Sequence, residues 1–362
     1  VAETKTGDKL RVGIVGCGIA IFHLEGFEKE NRAEVVALAG LDTDRCVSLQ
    51  ERFKVPRRYR EYQELLADPE IDAITVAVPN HLHKPVTLAA LEAGKHVLVE
   101  KPLAQNSVEG EEIVRAAEAS GKVVMILFNR RGRHDVQIVQ KLSAAGTFGR
   151  IYHAKAFWMR RSGIPGLGSW FTNKAQAGGG PVIDLGVHVL DMALWVMGNP
   201  KPVAVAAAAY NELGTRGKGQ WQGARFSVTP GVPYEVEDFA TALIRMEDGA
   251  TLQLDASWAG YTRHTDEFGV SFMGTDGGAE IHAKDYGDTG TLKIFGDIDG
   301  APTVTEPRLL SRRDHGELIS RWVDAILGVG PVSPSVQEGL DRVRLIESIY
   351  RSAELGREIP ID

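Results

Sequence analysis

Short apolar runs rich in β-branched residues alternate with stretches of helical periodicity over the first third of the chain, at 12–15, 35–39, 74–78, 96–99 and 123–128. Runs this short, with little internal alternation, suit strands buried on both faces. Their interleaving with helices predicts a parallel sheet covered on both sides, a βαβ array. Gly94 and Gly121 follow helical segments as C-terminal caps, and Asn106 stands three residues before Glu109 as an N-terminal cap. Beyond about Gly132 the strands lengthen and alternate, at 151–159, 239–246, 251–258 and 270–273. Asp248-Gly249 and Asp276-Gly277 fall between such runs as hairpin turns, which predicts an antiparallel sheet. The close is helical, with Ser335 and Glu338 as a capping-box pair and Leu340, Val343, Ile346, Ile349 and Tyr350 as one apolar stripe. The expected division is a doubly wound α/β unit over residues 1–132 and a second, α+β unit over 133–362.

Composition adds boundaries rather than detail. A length of 362 residues exceeds what one core usually organises, so two domains are expected. The net charge of −7, without a long basic block, gives no electrostatic reason for nucleic acid or an anionic membrane as partner. A small molecule is the default ligand. Cys17 and Cys46 are too few for a disulfide framework and lie in no metal-type spacing, which fits the cytoplasm. No unbroken apolar run reaches the ~18 residues of a membrane span. The polar start lacks the hydrophobic centre of a signal peptide, although the first residue, Val1, leaves a removed leader open.

Directly after the first predicted strand comes Gly16-Cys17-Gly18-Ile19-Ala20-Ile21. Two glycines in this place permit a tight turn and close approach of backbone to a pyrophosphate at a helix N-terminus. Ile21 stands where the dinucleotide fingerprint has Gly or Ala, and its bulk is expected to push the helix away from the strand. Asp42 ends the second strand, where an acid accepts hydrogen bonds from the adenosine ribose and repels a 2′-phosphate. NAD is therefore expected, with NADP possible because Arg45 is near enough in sequence to offset that repulsion.

From Val78 the sequence reads Val-Pro-Asn-His-Leu-His and then, after a helical stretch, Ala-Gly-Lys-His-Val-Leu-Val-Glu-Lys-Pro-Leu; farther on stands Gly178-Gly179-Gly180-Pro181-Val182-Ile183-Asp184-Leu185-Gly186-Val187-His188. These ordered motifs resemble the family of glucose-fructose oxidoreductase, inositol 2-dehydrogenase and the rhizopine-catabolism protein MocA. The resemblance implies a Rossmann domain followed by a large, mostly antiparallel open-sheet domain, with the active site between them. It also implies an NAD(P)-dependent dehydrogenase acting on CH–OH groups of a sugar, polyol or glycoside. Lys101 matches the lysine of the Glu-Lys-Pro motif, and Asp184 and His188 match the Asp-x-x-x-His pair. Val78, Pro79, Asn80 and Glu100 match segments along the cofactor, and a cis peptide before Pro102 is implied.

Oxidising an alcohol needs a base beside the carbon that loses hydride. His188 is read as that base, Lys101 as the donor that stabilises the developing alkoxide, and Asp184 as the group that orients both sugar and imidazole; exchange of the Lys and His roles stays open. Asp184, His188 and Asp191 fall on one face of an otherwise apolar, and hence buried, helix. His83 is expected beside the nicotinamide, and Asn129 and Arg130 at the carboxyl end of the last parallel strand, with Arg130 as a substrate or cofactor contact. Arg160, Arg161 and Trp170 flank a Gly/Pro-rich loop and offer donors and an aromatic face to a pyranose ring, or else the loop is a surface excursion or a dimer contact. His81 and His83 lack the acids of a metal site, so no metal is expected. Two rivals remain: a redox-neutral NAD-dependent glycosidase using the same residues, and a non-catalytic NAD-binding regulator. The open face of the second sheet, like the family resemblance, implies a homodimer or homotetramer.

Overall fold

The computed structural model describes residues 9–223, 232–287, 289–309 and 314–361. Along the chain run β1 (Leu10–Val15), α1 (Ala20–Phe27), β2 (Ala33–Ala39), α2 (Thr43–Phe53), β3 (Arg57–Tyr59), α3 (Tyr62–Leu66), β4 (Ala73–Val76), α4 (His83–Glu92), β5 (His96–Glu100), α5 (Ser107–Ser120) and β6 (Val124–Leu127). There follow α6 (His134–Ala144), β7 (Ile151–Arg160), α7 (Lys174–Ala177), α8 (Val187–Val196), β8 (Pro202–Tyr210), β9 (Phe239–Met246), β10 (Thr251–Ser257), β11 (Asp266–Gly274), β12 (Gly278–Lys284), β13 (Leu292–Ile298) and β14 (Ala301–Thr305). The chain closes on α9 (Asp314–Ile326), α10 (Val336–Leu355) and β15 (Ile359–Pro360).

The first six strands form one parallel sheet in the order β3-β2-β1-β4-β5-β6. All four residues of β4 and of β6 are buried. Since successive side chains point to opposite faces, both faces of the sheet are covered. The predicted caps form as expected. Asn106 Oδ1 accepts from Glu109 N at 2.9 Å, Gly121 ends α5 in the left-handed region, and Ser335 and Glu338 exchange two hydrogen bonds. Asn106→Ala is expected to cost about 1 kcal/mol, read as a lowered urea midpoint with an unchanged m-value.

The remaining nine strands form a second sheet in the order β14-β13-β12-β11-β7-β10-β9-β8-β15. Among the described residues of this sheet only β7 and β10 pair in parallel, and the other neighbouring strands pair antiparallel. Its inner row, including Ala154, Ala156, Trp158, Ile244, Leu254 and Val270, is buried. The stretch Lys174–Val196 is long and apolar enough to cross a membrane by length and composition, yet 89% of its most apolar window is buried. It is a buried core segment of successive helical pieces, and Asp184, His188 and Asp191 keep the sequence from showing it as an unbroken apolar run.

The chain divides into two compact units, but not at a single point. Val1–Gly132 join Arg313–Val343, and Arg133–Arg312 join Arg344–Asp362. This differs from a cut between 132 and 133 because α9 returns to the first sheet. Its Leu318, Ile319, Trp322 and Val323 complete a core with Leu10, Val12, Phe27, Leu98, Met125 and Leu127. A helix with that stripe buries more apolar area there than it could alone.

Candidate active site

In the first unit the polar groups gather where β1, β4, β5 and β6 end, the carboxyl edge at which open α/β sheets bind ligands. Gly16 has φ +101°, and a Cβ there would lie 2.3 Å from the Ala77 carbonyl oxygen, so the turn after β1 tolerates only glycine. At Gly18, by contrast, a Cβ would meet nothing within 4 Å. The backbone is left bare toward open space, which is the cradle a pyrophosphate needs ahead of α1. Ile19 precedes α1 and Ala20 begins it. Ile21, part-buried, packs beside the core of Ile14, Leu24 and Leu38 within a regular helix.

Asp42 caps α2, its carboxylate accepting from Arg45 N at 3.1 Å, and is exposed. Arg45 turns back on the glycine turn: its Nε donates to the Cys17 carbonyl at 2.6 Å and its Nη2 to that of Gly18 at 2.5 Å. Cys17 and Cys46, too few for a framework, are bonded to each other across a Cα separation of 5.6 Å. Gly40 lies against both sulfurs, where a Cβ would come within 2.9 Å of each. Three links thus bind the start of α2 to the turn that would carry the dinucleotide, and the residues present fit such a group.

Lys101 follows β5, and its peptide to Pro102 is cis. His83, 1% exposed, faces the Pro102 carbonyl through Nδ1 at 2.6 Å and the Val78 carbonyl through Nε2 at 3.0 Å. Burial pushes its pKa down, so the ring is neutral and donates to one carbonyl at a time. His83 ties the Val78-Pro79-Asn80 segment to the lysine segment from behind. Asn80 is itself buried at the start of a 3-10 turn, Asn80–Leu82. Arg130, expected at a ligand, is 6% exposed and donates to Asp314 Oδ2 at 3.0 Å. Asn129 Nδ2 lies 3.5 Å from His315 Nε2.

In the second unit Asp184 stands in a π-turn, Val182–Gly186, that runs into α8, which carries His188. The segment is therefore not the regular α-helix its spacing suggested. Glu237, inward from β9, supplies the reason. Its carboxylate accepts from Gly180 N at 2.9 Å, from Val182 N at 3.1 Å and from the Tyr350 hydroxyl at 2.8 Å. Pro181 between them has no N–H to offer. Cβ atoms at Gly179 and Gly180 would collide with the Tyr350 hydroxyl and the Glu237 carbonyl, which is why the turn is entered through glycines. Inserted residues of this kind recur at functional sites, where they re-aim side chains.

The Trp258 indole donates to Asp184 Oδ2 at 2.9 Å, and the Trp158 ring lies 5.5 Å from that of His188. Trp170 stacks on Phe171, which meets Trp258 edge-on at 6.2 Å, so an aromatic surface leads to the Asp184 carboxylate. Arg160 is paired through Nε with Asp266 at 2.6 Å and through Nη2 with the Tyr286 hydroxyl. Its pKa is raised; burial opposes this, and the charges of Tyr286, Asp266 and Asp184 outweigh it. Among the described residues no group of three or more His, Cys, Asp or Glu side chains could hold a metal ion.

Sequence reasoning missed Trp158, Trp258, Glu237 and Tyr350 in the second unit, and His23 and His315 in the first. His23 did leave a signal as the lone polar ring on the buried face of α1, among Ala20, Leu24 and Phe27.

Residues 10–128 match the model of the Gfo/Idh/MocA oxidoreductase family, described as an NAD-binding Rossmann fold, and residues 136–280 match that of its C-terminal domain. A D-glucoside 3-dehydrogenase of Escherichia coli (strain K12) is 30% identical over 98% of this chain and 99% of its own. An NADP+-dependent scyllo-inositol 2-dehydrogenase of Bacillus subtilis (strain 168) is 25% identical over 98% of this chain and 97% of its own. Among solved structures, a levoglucosan dehydrogenase in complex with NADH and L-sorbose superposes with a TM-score of 0.85, covering 98% of this chain and 99% of that one at 23% identity, a likeness of fold. The chain belongs to the Gfo/Idh/MocA family of NAD(P)-dependent oxidoreductases of sugars and polyols, built as a six-stranded parallel Rossmann sheet and a nine-stranded, mostly antiparallel one.

Proposed function

We propose that the protein is an NAD-dependent dehydrogenase that oxidises a ring hydroxyl of a sugar, polyol or glycoside, with Lys101 and His188 acting on that hydroxyl and Asp184 orienting the sugar. The observation that carries this reading is the construction around the three groups. Lys101 is held at the carboxyl end of β5 in the unit that carries the glycine turn, and Asp184 and His188 are set by a π-turn beside an aromatic surface. An aromatic face next to a fixed carboxylate suits a pyranose, whose C–H face packs on the ring while its hydroxyls reach the acid. The full-length relative that acts on D-glucosides supports this substrate class.

Gly16, Gly18, Ile19, Ala20, Asp42, Val78, Pro79 and Asn80 would hold the dinucleotide, with Lys101 at its reactive end. When bound, NAD supplies the hydride acceptor. His188 takes the hydroxyl proton and Lys101 donates to the developing alkoxide, the larger share of the work in such sites being stabilisation of charge as it forms. Asp184, anchored by Trp258, keeps a second sugar hydroxyl in place. Glu100, just before Lys101, is held ionised: burial opposes this, and the hydrogen bond and charge of His23 outweigh it. NAD is favoured over NADP because Asp42 faces solvent at the end of β2, while the guanidinium of Arg45 is committed to the carbonyls of Cys17 and Gly18.

An NADH-release screen across aldoses, inositols and glycosides tests this. Net NADH with a ketosugar is expected, and a several-fold preference for NAD that narrows in Asp42→Ala. Release of an aglycone without net NADH would instead assign the redox-neutral glycosidase reaction. Self-association through the exposed face of the second sheet, which presents Leu243, Met273 and Phe295, is the assembly we propose. Light scattering of the Leu243→Lys/Phe295→Lys variant is expected to show a smaller species than wild type.

A further inference from the structure

Behind Lys101 lies a cluster of buried titratable groups that the proposed chemistry does not use. Glu100, 5% exposed, ends β5. Its Oε1 lies 3.1 Å from His23 Nε2 on α1 and 3.8 Å from His315 Nε2 on α9, and its Oε2 accepts from the Lys101 backbone N at 3.2 Å. His315 also stacks on Phe22 and lies 5.8 Å from the His23 ring. Three elements of the first unit, β5, α1 and α9, thus converge on one carboxylate.

We infer that His23, Glu100 and His315 form a charge-holding cluster in which the two imidazoles keep Glu100 oriented toward the Lys101 segment, making His23 and His315 positioning residues for the lysine.

This inference rests on the catalytic reading of Lys101. Three observations argue for more than packing. His23 is fully buried, and its Nδ1 has no hydrogen-bond partner among the described residues. A buried polar atom left unpaired is destabilising, so a helix that needed only to pack would do better with an apolar residue there. Burial alone would raise the Glu100 pKa, yet the hydrogen bond and charge of His23, with the charges of His315 and Lys101, bring it below the usual carboxylate range. Burial pushes His315 down to about 4, so this ring is neutral at physiological pH and its charge acts on Glu100 only in the acid range. The other charged or titratable groups around the cluster are His83 on α4 and the Arg130–Asp314 pair. Arg130 and Asp314 pair with each other at 3.0 Å, whereas Glu100 accepts from the Lys101 backbone and has its pKa lowered by that lysine's charge.

The test is a pH profile of kcat/KM for wild type, His23→Leu, His23→Gln, Glu100→Gln and the double variant His23→Leu/Glu100→Gln, on the substrate found by the NADH screen. Removing the anion in Glu100→Gln, or freeing it to turn away from the Lys101 segment in His23→Leu, withdraws the negative charge from beside the lysine, so the alkaline limb is expected to move to lower pH by about one unit in both. kcat is expected to fall about tenfold with NAD affinity retained. His23→Gln, whose amide can donate from the place of Nε2, restores the limb, and the double variant shows no further shift than either single one. A limb that stays in place in Glu100→Gln, or shifts in the double variant that simply add, overturns the inference. If His23→Leu does not fold, the limb of Glu100→Gln decides alone. Lys101→Met is run alongside. If it keeps full turnover, the catalytic reading of Lys101 fails; if it is inactive while the limb of Glu100→Gln is unmoved, this inference alone fails.

Discussion

Lys101→Met lowers kcat by about a thousandfold while NAD binding, followed by tryptophan fluorescence, is retained. Methionine keeps the unbranched stem and removes only the charged head, so the cis peptide to Pro102 and the His83 bond to the Pro102 carbonyl have no cause to change. The loss therefore falls on alkoxide stabilisation. Because that charge exists only as the hydride leaves, kcat and kcat/KM fall together and KM stays near its original value. A variant that instead raised KM with kcat intact would make Lys101 a substrate anchor and leave the electrostatic role to another group.

Gly16→Val weakens NAD binding by about a hundredfold or more and lowers the thermal midpoint as well. A φ of +101° is costly for any residue with a Cβ, and here the added atom would also lie 2.3 Å from the Ala77 carbonyl. Together these amount to about 3 kcal/mol at least, which is two decades in an affinity. Gly18→Val is the informative companion. The space around Gly18 is open, so the thermal midpoint holds, yet a side chain would fill the approach to the bare backbone and NAD binding falls. If Gly18→Val bound NAD as well as wild type, the space beside Gly18 would not be where the pyrophosphate lies.

The five apolar runs of the first unit were legible because strands buried on both faces must be apolar throughout. β3 was not, since Arg57-Arg58-Tyr59 at the sheet edge carries no apolar pattern. β8 escaped for a different reason: its run of alanines gives neither strand propensity nor alternation, and its strand state comes from pairing with β9 and β15. Lys101, Asp184 and His188 were legible through motifs and strand ends. What holds them was not. Glu237 reaches Gly180 and Val182 across more than fifty residues, and His315 reaches Glu100 across more than two hundred, distances over which one sequence carries no pairing signal. Arg130 has a partner of the same kind: a cation at a strand's carboxyl end reads as a ligand contact, and nothing local says that Asp314 will also pair with it.

The return of α9 to the first core has a consequence for the nascent chain. When residue 132 leaves the ribosome, the parallel sheet still lacks Leu318, Ile319, Trp322 and Val323, and its apolar surface over Val12, Leu98 and Met125 stays bare. At roughly 5–20 residues per second, the segment that covers it is synthesised some 10–40 s later. Of the two units, this one is begun before the other but cannot be finished before residues 314–323 are made. For that interval its unfinished face is a natural client for a chaperone, and a fragment ending at Gly132 would be left with it permanently.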